Sequence, residues 1–106
     1  MTAVAFLSVA PATDESMAPD VADAVAALDG FPVDYETTPM GTVIEADDAG
    51  TLFEAAAAAH EAVDADRVNT LLKVDDKRTV DEPASAKVEA LEDVLGRAAV
   101  GHGRDG

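Results

Sequence analysis

The sequence predicts an α+β fold of ferredoxin-like order, β-α-β-β-α-β with a four-stranded antiparallel sheet, followed by a C-terminal helix. Three observations predict it. Four short β-type runs are present, two of them joined by a glycine-containing break. Two helical stripes follow the first and third of those runs. The chain has 106 residues, enough for one core and not for two. The domain is expected over residues 1–98, with a flexible tail from 99 to 106.

The first run, MTAVAFLSVAP, is apolar and ends at Pro11. Alternation puts Ala5, Leu7 and Val9 on one face and Val4, Phe6 and Ser8 on the other. DVADAVAALDG then spaces Val21, Ala24, Val25 and Leu28 as a helical stripe, and Gly30 stops it. FPVDYETTP and TVIEAD flank the break at Pro39, Met40 and Gly41 as the two arms of a hairpin. In DDAGTLFEAAAAAHEAVDA the spacing of Thr51 and Glu54 predicts a capping box, and Leu52, Ala56, Ala59 and Val63 form the buried stripe. RVNTLLKVDDKR is the fourth strand. Val68, Thr70, Leu72 and Val74 share one side; Asn69, Leu71, Lys73 and Asp75 share the other. SAKVEALEDVLGRA gives a third helix on Val88, Leu91 and Leu95.

Charge excludes several classes of function. Asp and Glu number 22 against 7 Lys and Arg, a net charge of −15, and every basic residue lies at or beyond Arg67. Such a surface repels phosphate backbones, so nucleic acid is not an expected partner. At 48% hydrophobic residues in periodic runs, the chain is nonetheless a folding one. Few lysines, many aspartates and abundant Ala and Val read as adaptation to a salty cytoplasm, a halophilic signature. With no cysteine, disulfides and thiol chemistry are excluded. No apolar run is long enough to span a membrane, and a cytoplasmic protein is expected.

Two helices cover one face of the sheet. Val4, Phe6, Val43 and Leu71 then fall on the other, and an open apolar face predicts a homo-oligomer stacked sheet to sheet. Glu45 shares that face, with Ser8, Asn69 and Lys73. Either Glu45 and Lys73 form a cross-strand ion pair, or they belong to a small polar pocket with apolar walls, the usual build of a ligand site. His60 reads as a helix-surface or satisfied core histidine, and His102 lies in the tail. Asp47, Asp48, Asp75 and Asp76 read as solvated loop carboxylates rather than as metal ligands. Ser8 has no histidine base at a motif spacing, so no catalytic residue is assigned and an enzyme is not expected.

Four segments, AFLSVAP, PMGTVIEAD, AAHEAV and RVNTLLKVDDKR, occur in an order that resembles the small thiamine-binding proteins related to YkoF. The pairing of G-T-x-x-E with T-x-x-K-x-D-D-K-R carries most of the resemblance, which spans about residues 2 to 95. It implies a homotetramer that assembles through its sheets and binds thiamine or its hydroxymethylpyrimidine moiety without catalysis and without a cofactor. On that basis Glu45 would accept from the exocyclic amine or offset the thiazolium charge. Ser8, Thr42 and Asn69 would supply neutral hydrogen bonds, Phe6, Tyr35 or Met40 would cover the ring faces, and Lys73 would pair with Glu45 in the empty site or hold Asp75. The alternative is an oligomeric interaction module without a small ligand, in which Glu45 and Lys73 only fix subunit register.

Overall fold

Strand and helix follow one another as the periodicities require. The computed structural model describes residues 2–79 and 82–101. Its elements are β1 (Thr2–Pro11), α1 (Ala18–Ala27), a 3-10 turn (Leu28–Gly30), β2 (Asp34–Thr38), β3 (Gly41–Ala46), α2 (Ala49–Glu61), β4 (Val68–Lys77) and α3 (Ser85–Leu95). The sheet order is β2-β3-β1-β4, antiparallel throughout. This is the expected ferredoxin-like arrangement. The segment from His102, which holds most of the expected tail, lies outside the described residues.

The core is the layer between the sheet and helices α1 and α2. Ala3, Ala5, Leu7 and Val9 of β1 enter it with Ile44 and Ala46 of β3. Leu28, Ile44 and Leu52 are its largest fully buried side chains. Helix α2 presents Ala55, Ala56 and Ala59 to the sheet, all buried. Residues this small let the helix approach closely, so the layer fills without large side chains.

Helix α2 begins differently from expectation. Asp48, not Thr51, is the N-cap, and its carboxylate accepts from the Thr51 backbone N–H at 2.8 Å and from the Thr51 hydroxyl at 3.0 Å. Asp is as good an N-cap as Thr, and the backbone is extended at Asp48, where a cap residue must be. These hydrogen bonds hold the Asp48 carboxyl below its ordinary range, the backbone one most of all.

Helix α3 departs further. The expected stripe is present, but it buries nothing within the chain: Val88, Leu91 and Leu95 are all exposed. The helix stands off the sheet and ends at Gly96, whose φ of 73° is the left-handed C-terminal conformation that glycine favours. The radius of gyration, 15.6 Å, exceeds the roughly 13 Å expected for a closed domain of about 100 residues.

Candidate functional site

Alternation assigns each expected site residue to a face, and the eight do not converge on one pocket. Glu45, Ser8, Asn69, Lys73 and Phe6 share the open face, since Glu45 stands opposite Val4 and Phe6 lies between Val43 and Lys73 in register. Thr42 and Tyr35 point to the helix-covered side, with Leu7 and Ile44 respectively. Met40 sits in the hairpin turn, largely exposed.

Glu45 has a partner that neither sequence-based alternative included. Its two carboxylate oxygens accept from the backbone N–H of Ala84 at 3.1 and 3.2 Å. Ala84 is the N-cap residue of α3, so the carboxylate satisfies an otherwise orphaned donor and faces the positive end of the helix dipole. The Glu45–Lys73 ion pair, one of the two alternatives for this carboxylate, does not form among the described residues. In register, β1 intervenes between the two strands, and two strand spacings are about 9.6 Å. Asp75 is held by Lys87 of α3 rather than by Lys73. That hydrogen bond and the lysine charge keep its carboxyl below the usual range. Asp76 pairs with Arg78 at 3.0 Å, and His60 Nδ1 shares a hydrogen bond with the Thr70 hydroxyl. Tyr35 donates to Asp29 at 2.7 Å, and this bond raises its phenol pKa.

Two depressions stand out among the described residues. The one on the open face is shallow, about 370 Å³, and is lined by Phe6, Val43, Lys73, Asp75 and Lys87 among others. It lies where α3 leans away from the sheet. The other is a cleft of about 180 Å³ between α1, the end of β1 and the β2–β3 turn. Leu7, Val21, Ala24, Val25 and Leu28 wall it, Met17 and Met40 line it, and Thr37, Thr38 and Thr42 supply hydroxyls. None of its lining side chains is ionisable.

The threonines divide their work. Thr38 is committed to the turn, donating to the Gly41 carbonyl at 2.8 Å and accepting from the N–H groups of Met40 and Gly41. Thr37 and Thr42 face each other across the hairpin, hydroxyl to hydroxyl at 3.1 Å. Thr42 is a buried polar side chain of the layer, 5% exposed. Of two hydroxyls so paired, one hydrogen and several lone pairs stay free for a ligand. Gly41 closes the turn: a Cβ there would lie 2.5 Å from the Phe6 ring and 2.8 Å from the Leu7 carbonyl oxygen.

The sequence model of the family described as thiamine-binding protein matches residues 5–92. The chain belongs to that family. A UPF0045 protein of Methanothermobacter thermautotrophicus is 45% identical over 83 residues, covering 76% of this chain and 84% of its own. Among solved structures, a hypothetical protein of Methanocaldococcus jannascii superposes with a TM-score of 0.78 at 30% identity, over 85% of this chain and 95% of that one. A Thermotoga maritima protein provisionally assigned to thiamine biosynthesis or salvage has a TM-score of 0.74 at 17% identity, over 86% and 99% of the two chains. That last likeness is one of fold. Membership gives the chain a thiamine-related role. Among the described residues no helix is long and apolar enough to cross a membrane.

Proposed function

We propose that the protein binds thiamine or its hydroxymethylpyrimidine moiety without transforming it, with the pyrimidine ring in the cleft between α1 and the hairpin. The single observation that carries this reading is the Thr37–Thr42 hydroxyl pair at an apolar, uncharged cleft. Apolar walls with a few convergent polar groups are the usual build of a small-molecule site. The volume of about 180 Å³ is below the roughly 300–1,000 Å³ of drug-sized pockets. It suits one heterocycle, with the thiazolium left at the mouth, where the loop leading to Met17 carries Asp14 and Glu15. The absence of any acid or base from the lining supports binding rather than proton transfer.

The open-face depression suits thiamine less well. Lys87 and Asp75, which both line it, offset each other as an ion pair, and the charge of Lys73 beside them opposes a cation. That face, with exposed Leu71 and the bare stripe of α3, supports assembly into a homo-oligomer instead. In this reading Glu45 and Lys73 belong to the assembly surface, and the acidic exterior serves solubility in a salty cytoplasm.

Isothermal titration of thiamine and of hydroxymethylpyrimidine into the protein in molar-range KCl tests the proposal. Saturable binding of both, one molecule per chain, is the expected result. No heat from either compound, with correctly folded protein, would leave the interaction module as the better account.

A further inference from the structure

Strand β1 is longer than the strand beside it. It pairs with β4 from Thr2 to Pro11, but with β3 only from Ala3 to Leu7. Its last residues therefore have a neighbour on one edge and the cleft on the other, and Ser8, Val9 and Ala10 all line that cleft. Which backbone groups face it follows from alternation. The Leu7 carbonyl oxygen points at β3, since a Cβ on Gly41 would come within 2.8 Å of it. In an antiparallel strand, residues two apart turn their N–H and C=O to the same edge. Val9 thus aims both groups past the end of β3. Among the described residues no backbone or side-chain partner meets them there: Met40, which would stand opposite in register, gives its own N–H to Thr38. Pro11, next in the same alternation, has no N–H, as befits an unpaired edge.

We propose that Val9 reads the aminopyrimidine by its edge, as a missing rung of the sheet. This rests on the ligand reading above and names the atoms that select it. A 4-aminopyrimidine carries an amine donor beside a ring-nitrogen acceptor. The Val9 C=O accepts from the amine and the Val9 N–H donates to the ring nitrogen, the pairing a β-strand would have supplied. Side-chain polarity could not have announced this, because valine contributes only its backbone. Thr37 and Thr42 are left to meet the ring substituents. The site selects heterocycles with an adjacent amine donor and nitrogen acceptor, and it rejects those without the amine because a buried carbonyl then stays unpaired.

The test compares hydroxymethylpyrimidine with its 4-deamino analogue by titration calorimetry, and follows the Val9 amide by hydrogen exchange in NMR. The expected result is affinity at least ~tenfold weaker for the analogue, together with a Val9 amide that exchanges rapidly in the free protein and is protected when the pyrimidine is bound. Equal affinities with an unprotected Val9 amide would overturn the edge pairing while leaving the cleft as the binding site. No binding of thiamine or of hydroxymethylpyrimidine would overturn the ligand reading, and the edge pairing with it.

Discussion

One sheet has two faces, and this chain treats them in opposite ways. On the first, Ala3, Ala5, Leu7 and Val9 are covered by α1 and α2 of the same chain and are all under one-tenth exposed. On the second, Val4, Phe6 and Ser8 are only half-buried, and α3 reaches that face only at its first turn, where Lys87 lines the depression beside Val4 and Phe6. The attachments differ in kind. The covered face is held by apolar contact, which is non-directional and scales with area. The open face holds α3 through Glu45 on the Ala84 N–H and Asp75 on Lys87, two polar contacts that fix a direction and bury little. A helix tethered in that way keeps its direction and leaves its apolar stripe bare.

The largest expected effect breaks the covered face. Leu52→Ala removes a fully buried side chain and should cost about 2–5 kcal/mol in chemical unfolding. Leu91→Ala on α3, half exposed, should change the stability of the single chain by about 0.5 kcal/mol or less. Leu91→Asp should dissociate the assembly in light scattering while the fold persists in circular dichroism. If Leu91→Asp leaves the particle mass unchanged, α3 does not contribute to assembly.

A smaller effect separates binding from folding on the covered side. Thr42→Val keeps shape and removes the hydroxyl, and should weaken hydroxymethylpyrimidine by roughly tenfold, about 1.4 kcal/mol, in calorimetry. Next, Glu45→Gln should loosen α3 without weakening the ligand. Hydrogen exchange should quicken in residues 85–95, and affinity should stay within about twofold, less than 0.5 kcal/mol. Loss of affinity in Glu45→Gln with α3 unchanged would return the carboxylate to the binding site.

The smallest effect is one of pH. The Asp75 carboxyl is held below the ordinary range by Lys87, so its contribution is present above the unfolded value, about pH 4, and is lost as pH falls through the lower folded value. Protection of the first turns of α3 should decline over that acid range, and Lys87→Met should remove this dependence.

Much of this was legible in the sequence, for reasons that differ by element. The faces of β1 and β4 followed from period two alone, and Leu52, Ala56 and Ala59 are buried as the helical period requires; Val63 is buried too, but from the loop past the end of α2. The partner of Glu45 was not legible, because the Ala84 N–H lies 39 residues away and no side-chain pattern marks a backbone donor. Asp48 outranked Thr51 as the cap because two acceptable cap residues stood three apart and local spacing could not choose between them. The cleft was hidden for another reason. It depends on β1 outrunning β3, a fact of register, and its proposed reading group is the backbone of a valine. Thr42 was singled out through resemblance. Its face was already fixed by alternation with Ile44, and that would have separated it from Glu45.

A backbone amide NMR map of the protein titrated with hydroxymethylpyrimidine locates the ligand on one face of the sheet or the other. Binding in the cleft predicts perturbations centred on Val9, Thr37, Met40 and Thr42 on one side of the sheet. Perturbations centred on Glu45, Asn69 and Lys73 would place the ligand on the open face and contradict it.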